Sequence, residues 1–137
     1  MFKRPLLPGL IWTLLIAALT LMPGNYIPRI TSFLDWFNPD KIVHLILFGT
    51  YTFLLLEGFR RQEGHIFLKK RHILLALFIG IVFAFFTEVM QKHVIPGRNG
   101  NIYDFLADVL GSILGITAWR FTRRNDKKNL HSSKKYN

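Results

Sequence analysis

Three residues stand inside long apolar runs where an ionisable group needs a reason to be: His44, Glu88 and Asp108. Around them lie Asp40 and Lys41, Gln91, Lys92 and His93, Arg98 with Asn99 and Asn101, and Asp104. An imidazole among carboxylates can give and take a proton near neutral pH, so His44 is the candidate general acid/base, with Glu88 orienting it or sharing its proton. Lys41 and Arg98 offer cations to a phosphate or carboxylate, Arg98 through a bidentate fork. Asp40, Gln91, Asp104 and Asp108 complete the candidate ligand contacts by meeting hydroxyl or cationic groups. The chain has no cysteine, which excludes thiolate nucleophiles, thiolate metal sites and disulfides. No nucleophile elbow, HExxH run or paired phosphatase motif is present.

The elements that position these residues are apolar blocks. Half of the 137 residues are hydrophobic, and they cluster instead of alternating with polar ones. Crossing the hydrocarbon core takes roughly 20 apolar residues, with about 17 as a minimum. Four segments come near that length: residues 6–22, stopped by Pro23 and Gly24, then 41–59, 73–91 and 102–121. The expected fold class is therefore all-α, an integral membrane bundle of about four transmembrane helices. Residues 1–122 form the membrane domain, and residues 123–137 form a basic tail expected to be disordered. Residues 23–39 repeat Ile27, Ile30, Phe33, Leu34 and Phe37 at helical spacing, with Trp36 beside them. A short interfacial helix over the first outer loop fits that pattern, as does a plug packed over the bundle mouth. Lys3 and Arg4 before the first block resemble a signal peptide, but Leu21-Met22-Pro23 is a poor cleavage site, so a retained helix is expected.

The net charge of +10 is a matter of topology, not of nucleic-acid binding, because it falls in short clusters between apolar blocks. Only Arg29, Lys41, Lys92 and Arg98 of the 18 basic residues fall on one side of a four-helix reading. The rest share the other side, which is expected to be cytoplasmic along with both termini. The candidate residues then gather at the extracytoplasmic face of the membrane. Glu57 alone stands apart, and Arg60 and Arg61 give it a structural role.

Spacing puts these residues on shared helix faces. Asp40 and His44 are four apart, as are Asp104 and Asp108; Glu88 and Gln91 are three apart. Ala76, Gly80 and Ala84 step toward Glu88, and Gly111 and Gly115 form a GxxxG stripe below Asp108. Small stripes let membrane helices approach closely. If these two face each other, they bring Glu88 and both aspartates to one crevice, with His44, Phe48 and Tyr51 as the inward face of the second helix. The same GxxxG spacing also serves a homodimer. Capping is the plainer explanation for Asn38-Pro39-Asp40 and for Asn101 with Asp104, and Glu88 can pair with Lys92. Capping does not account for Asp108, His44 or Glu88.

Asp40-Lys41 with His44, Glu88 with Gln91, Gly97-Arg98, and Asp104, Asp108, Gly111 and Gly115 in that order resemble the VanZ-like family, small bacterial membrane proteins named for a teicoplanin-resistance accessory protein. The resemblance covers residues 40–115, with Asp108 where the family often carries asparagine. It implies a cell-envelope setting and a contribution to glycopeptide tolerance. Two functions follow. In one, the outer mouth binds a lipid-linked or lipoglycopeptide ligand at membrane level. In the other, the chain is a hydrolase or transferase for a lipid-linked envelope substrate, with His44 and Glu88 catalytic and Asp104, Asp108 and Glu88 able to hold a divalent cation. Whether a reaction occurs stays open between them, and neither a cofactor nor a resident metal is assigned. A conducting proton or ion path is disfavoured, because nothing ionisable continues to mid-depth in the third or fourth block.

Overall fold

The computed structural model describes residues 4–23, 39–62, 66–98 and 100–133. Four helices make it up: α1 (Leu7–Thr20), α2 (Pro39–Arg60), α3 (Ile66–His93) and α4 (Ile102–Ser133). The interfacial helix expected over residues 23–39 falls almost wholly outside the described residues.

Each boundary has a local cause. α1 stops at Leu21, two residues before Pro23, whose ring would clash with a continuing helix. Pro39 opens α2, with Asp40 in its first turn beside the positive helix end. α3 bends at Arg71, where φ is −116° and ψ 17°. The turn after α3 uses Gly97 at φ 74°, a conformation open to glycine at little cost. α4 is capped by Asn101, whose Oδ1 accepts the Tyr103 backbone N–H at 3.1 Å. It continues through Ser133, well past the end expected near Phe121. Arg123 pairs with Asp126 one turn on at 3.0 Å, and no proline or glycine interrupts the run. The segment expected to begin a disordered tail is thus helical as far as it is described.

Among the described residues, three helices are long and apolar enough to cross a membrane: Asp40–Arg60, Lys70–His93 and Ile102–Asp126. At 1.5 Å per residue these cover or exceed a hydrocarbon core of about 30 Å. The 14-residue α1 reaches only about 21 Å on the same rise. The burial pattern also suits lipid as solvent. Phe78 is 64 % exposed, while Asp108 is fully buried and His44 is 3 % exposed. Apolar side chains face outward along α1, α3 and α4, and polar groups are held inside.

α2 and α4 run parallel and form the closest pair. Gly111 lies against the backbone of Leu45, and Gly115 against that of Gly49. The sequence pattern had suggested that this stripe faces the small stripe of α3; it packs on α2 instead. Ala76 and Ala84 on α3 are buried as expected, but Gly80 meets the hydroxyls of Ser112 and Thr52. Because α2 covers Gly111 and Gly115, any homodimer must use another face. α1 and α3 run antiparallel to this pair, with Trp12 on α1 donating to the Leu47 carbonyl at 2.9 Å. One end of the bundle thus collects the N-termini of α2 and α4 and the C-termini of α1 and α3.

Candidate functional site

That end carries the polar cluster. His44, one turn into α2, is buried against Asp108 of α4, and its Nδ1 lies 3.0 Å from Asp108 Oδ1. Where Asp108 is ionised it only accepts, so Nδ1–H is the donor in this contact and Nε2 lies outside it. Nε2 faces Asp40 Oδ1 at 4.0 Å. Asp104 is buried on the same face of α4 as Asp108, with Lys41 Nζ 3.9 Å from its Oδ1. Lys41 also stands 6.0 Å over the Tyr103 ring. The Gly111–Leu45 approach holds these partners together, since it sets the α2–α4 distance one turn below Asp108.

Several oxygens in this cluster are buried and complete no hydrogen bond: Asp104 Oδ1, Asp108 Oδ2 and both carboxylate oxygens of Glu88. The Asn101 backbone N–H is directed at the Glu88 carboxylate. Glu88 lies within electrostatic reach of Asp104, His44 and Asp108. Gly100 leaves room for it, because a Cβ there would stand 3.0 Å from Glu88 Oε1. A buried acceptor without a donor costs about 1–3 kcal/mol, more if charged. The positive ends of α2 and α4 both point at this cluster and offset part of that cost. Asp104 is not engaged in the capping box its spacing suggests: Asn101 caps α4 with its own side chain, and the aspartate faces inward.

Two expected site residues have other work. Gln91 Nε2 donates to the Thr20 carbonyl at 2.8 Å, and Arg98 Nη2 donates to the Leu19 carbonyl at 3.0 Å. Arg98 Nε reaches Met22 at 3.4 Å. Together they satisfy the last carbonyls of α1, where a cation also suits the negative helix end. Asn99 lies outside the described residues. The pairing assumed between His44 and Glu88 is replaced by His44 with Asp108, because α4, not α3, lies directly against α2 at this level.

The chain matches the family model described as VanZ/LLP1 over residues 8–123. It belongs to that family. The match takes in α1 and the start of the terminal helical extension, beyond the residues 40–115 that carried the resemblance. No curated protein and no solved structure matches the chain. The VanZ/LLP1 fold here brings Asp40, Lys41, His44, Glu88, Asp104 and Asp108 to one end of the bundle.

Sequence reasoning missed the hydroxyls beneath the cluster. Thr52 and Ser112 are buried, and neither hydroxyl oxygen has a hydrogen-bond partner. The signal was available: Thr52 lies eight residues after His44 and Ser112 four after Asp108, on the same stripes. At the opposite end, Glu57 is held by Arg60 at 2.9 Å and Arg61 at 2.6 Å as expected. Trp119 Nε1 at 3.2 Å and Arg123, both from α4, complete that anchor.

Proposed function

We propose that this VanZ/LLP1 protein is a plasma-membrane protein of the bacterial envelope whose outward-facing cluster binds the polar part of a lipid-linked or lipoglycopeptide ligand. Through that binding it contributes to teicoplanin tolerance. The observation that carries this reading is the set of buried carboxylate oxygens on Glu88, Asp104 and Asp108 that complete no hydrogen bond, even with Lys41 3.9 Å from the Asp104 oxygen. A ligand bearing hydroxyl, amide or ammonium groups supplies donors. An unaccompanied anion does not, and Arg98, the cation best shaped for one, is bound to the end of α1.

A second feature supports a ligand with an apolar chain. An apolar cavity of about 310 Å³ is lined by Tyr51, Phe78, Ile79, Val82, Phe83 and Phe86. Its α3 lining ends at Phe86, two residues before Glu88 in the chain, and an acyl chain seated there would extend a ligand of which the cluster holds the polar head. α1 acts as a fourth crossing: its outer face is apolar, with Leu14 71 % exposed, and its short length is met by local thinning of the bilayer. The excess of Lys and Arg at the other end supports an orientation with both termini in the cytoplasm. A homodimer, where one forms, uses the exposed apolar face of α3.

The test is a susceptibility assay in a host expressing wild type, His44→Ala, Glu88→Gln or Asp108→Asn at equal membrane abundance. Selective protection against teicoplanin over vancomycin, lost in the variants, supports the reading. Equal protection against lipidated and unlipidated glycopeptides, or full protection by the variants, refutes it.

The His44–Asp108 contact favours a second reading, a membrane hydrolase or transferase for a lipid-linked substrate. Asp108 would hold the imidazole in one tautomer, and Nε2 would act as the acid/base. A His44→Ala variant that keeps full function sinks this reading.

A further inference from the structure

His44 is arranged as a metal ligand is arranged. Metal-binding imidazoles commonly give their second ring N–H to a carboxylate, which fixes the tautomer and raises the basicity of the ligating nitrogen. Here Nδ1 is engaged by Asp108 Oδ1 at 3.0 Å, and Nε2 faces Asp40 Oδ1 at 4.0 Å. One donor atom from each of Asp40, His44 and Asp104 lies within 4.8 Å of the other two.

We propose that Asp40, His44 and Asp104 form a divalent-cation site, with Asp108 as the residue that positions His44. The proposal rests on the reading of this cluster as a working site. It goes further by naming an ion, and it replaces the Glu88, Asp104 and Asp108 set considered from sequence.

Acidic clustering alone would not carry this. Asp104 is buried, and its Oδ1 completes no hydrogen bond, with Lys41 Nζ standing off at 3.9 Å. Such an oxygen is stabilised by a cation and penalised without one. Ligands bound at about 2.0–2.2 Å sit closer together than the 4.0 Å between His44 Nε2 and Asp40 Oδ1, so the site must close slightly. Asp40 can supply the movement. Its side chain is 59 % exposed and stands in the first turn of α2, while His44 and Asp104 are fixed by packing.

One imidazole nitrogen with two carboxylate oxygens suits Zn2+ or Mn2+ better than Ca2+ or Mg2+, which favour all-oxygen shells. Three protein ligands leave coordination positions for water or a bound head group. Lys41 is the internal competitor: its ammonium lies 3.9 Å from Asp104 Oδ1, and the Tyr103 ring offers it a place to withdraw.

The experiment uses the full chain in lipid nanodiscs, with any affinity tag removed, stripped by chelator and titrated separately with Zn2+ and Mn2+. Bound ion is measured by equilibrium dialysis and elemental analysis. Wild type should take one ion per chain. His44→Ala and Asp104→Asn should lose it while eluting as monodisperse, helical protein. Asp108→Asn should weaken binding about 10–100-fold, as loss of an outer-shell partner does. Lys41→Met should tighten binding by removing the competing ammonium, and Asp126→Asn should change nothing. Failure of both ions to bind stoichiometrically, or retention of the ion by folded His44→Ala, overturns the proposal. Protection in cells that depends on His44 and Asp104, with neither ion bound, overturns the cation site and spares the ligand reading. A stoichiometric ion at the cluster with no change in susceptibility supports the cation site and removes the ligand reading.

Discussion

Replacing Gly111 with alanine tests whether the α2–α4 contact holds the cluster together. A Cβ at Gly111 would run into the carbonyl oxygen of Leu45 and stand 3.0 Å from both its carbonyl carbon and its Cα. All three are backbone atoms of a packed helix and cannot rotate away, so α4 must back off. Overpacking of this kind costs about 1–3 kcal/mol. Against it stands the better helix propensity of alanine, roughly 1 kcal/mol. Because the clash is with backbone, the overpacking cost lies in the upper part of its range and wins, for a net loss on the order of 1–2 kcal/mol and a fall in melting temperature of about 5 °C. The shift also opens the 3.0 Å His44–Asp108 contact, because half an ångström or more takes it beyond good hydrogen-bond range. Gly80→Ala is the matched control. Its methyl would meet the Ser112 hydroxyl at 3.0 Å and the Thr52 hydroxyl at 3.4 Å, the ends of short side chains that can turn aside. Thermal unfolding of both variants in one detergent, followed by elution profile, reads the difference. A Gly111→Ala protein as stable as wild type, or a Gly80→Ala protein that loses more, refutes the reasoning.

Three other outcomes are expected. Gln91→Leu removes the donor to the Thr20 carbonyl and should destabilise by about 1–2 kcal/mol, seen as faster amide exchange confined to the C-terminal half of α1; unchanged exchange there would deny Gln91 its capping role. Glu57→Gln leaves Arg60, Arg61 and Arg123 without their shared carboxylate. Because Arg61 is 63 % exposed and Arg60 41 %, solvent screening holds the cost to about 1 kcal/mol, and a loss of ligand-dependent protection at unchanged abundance would contradict its structural role. The chain lacks cysteine, so single cysteines report topology cleanly. Tyr103→Cys should react with a membrane-impermeant maleimide in intact cells and Arg124→Cys only after lysis, and the reverse pattern would invert the orientation.

The fold was legible wherever periodicity and composition speak without tertiary help. Blocks of apolar residues located α2, α3 and α4, and the buried face of α2 through His44, Phe48 and Tyr51 followed from spacing. The stripe of Gly111 and Gly115 was visible too, but its partner was not. A run of small residues says that something approaches closely, not which helix does, and α2 rather than α3 fills that place. For the same reason His44 was matched with Glu88 when Asp108 is its neighbour. Gln91 and Arg98 were read as ligand contacts because their chemistry permits it. The carbonyls they serve belong to α1, some seventy residues earlier in the chain, and no local pattern announces that debt. Thr52 and Ser112 carry no charge to mark them in an apolar run, although both continue the stripes of His44 and Asp108.

The plain alternative for the cluster is that it exists to start and stop helices, and the geometry distributes that work elsewhere. Asn101 caps α4, Pro39 opens α2, and Gln91 and Arg98 close α1. None of these tasks falls to His44, Asp104, Asp108 or Glu88. Two helix N-termini lend their positive ends to the acids, but dipoles falling off within a turn do not supply donors to oxygens that lack them. Glu57 shows how this chain treats a carboxylate whose role is architectural: three arginines and a tryptophan surround it. At the other end four acids share one histidine and one lysine, and their buried oxygens go unmatched. The contrast within one molecule is the strongest reason to treat the unmatched end as a place where something else binds.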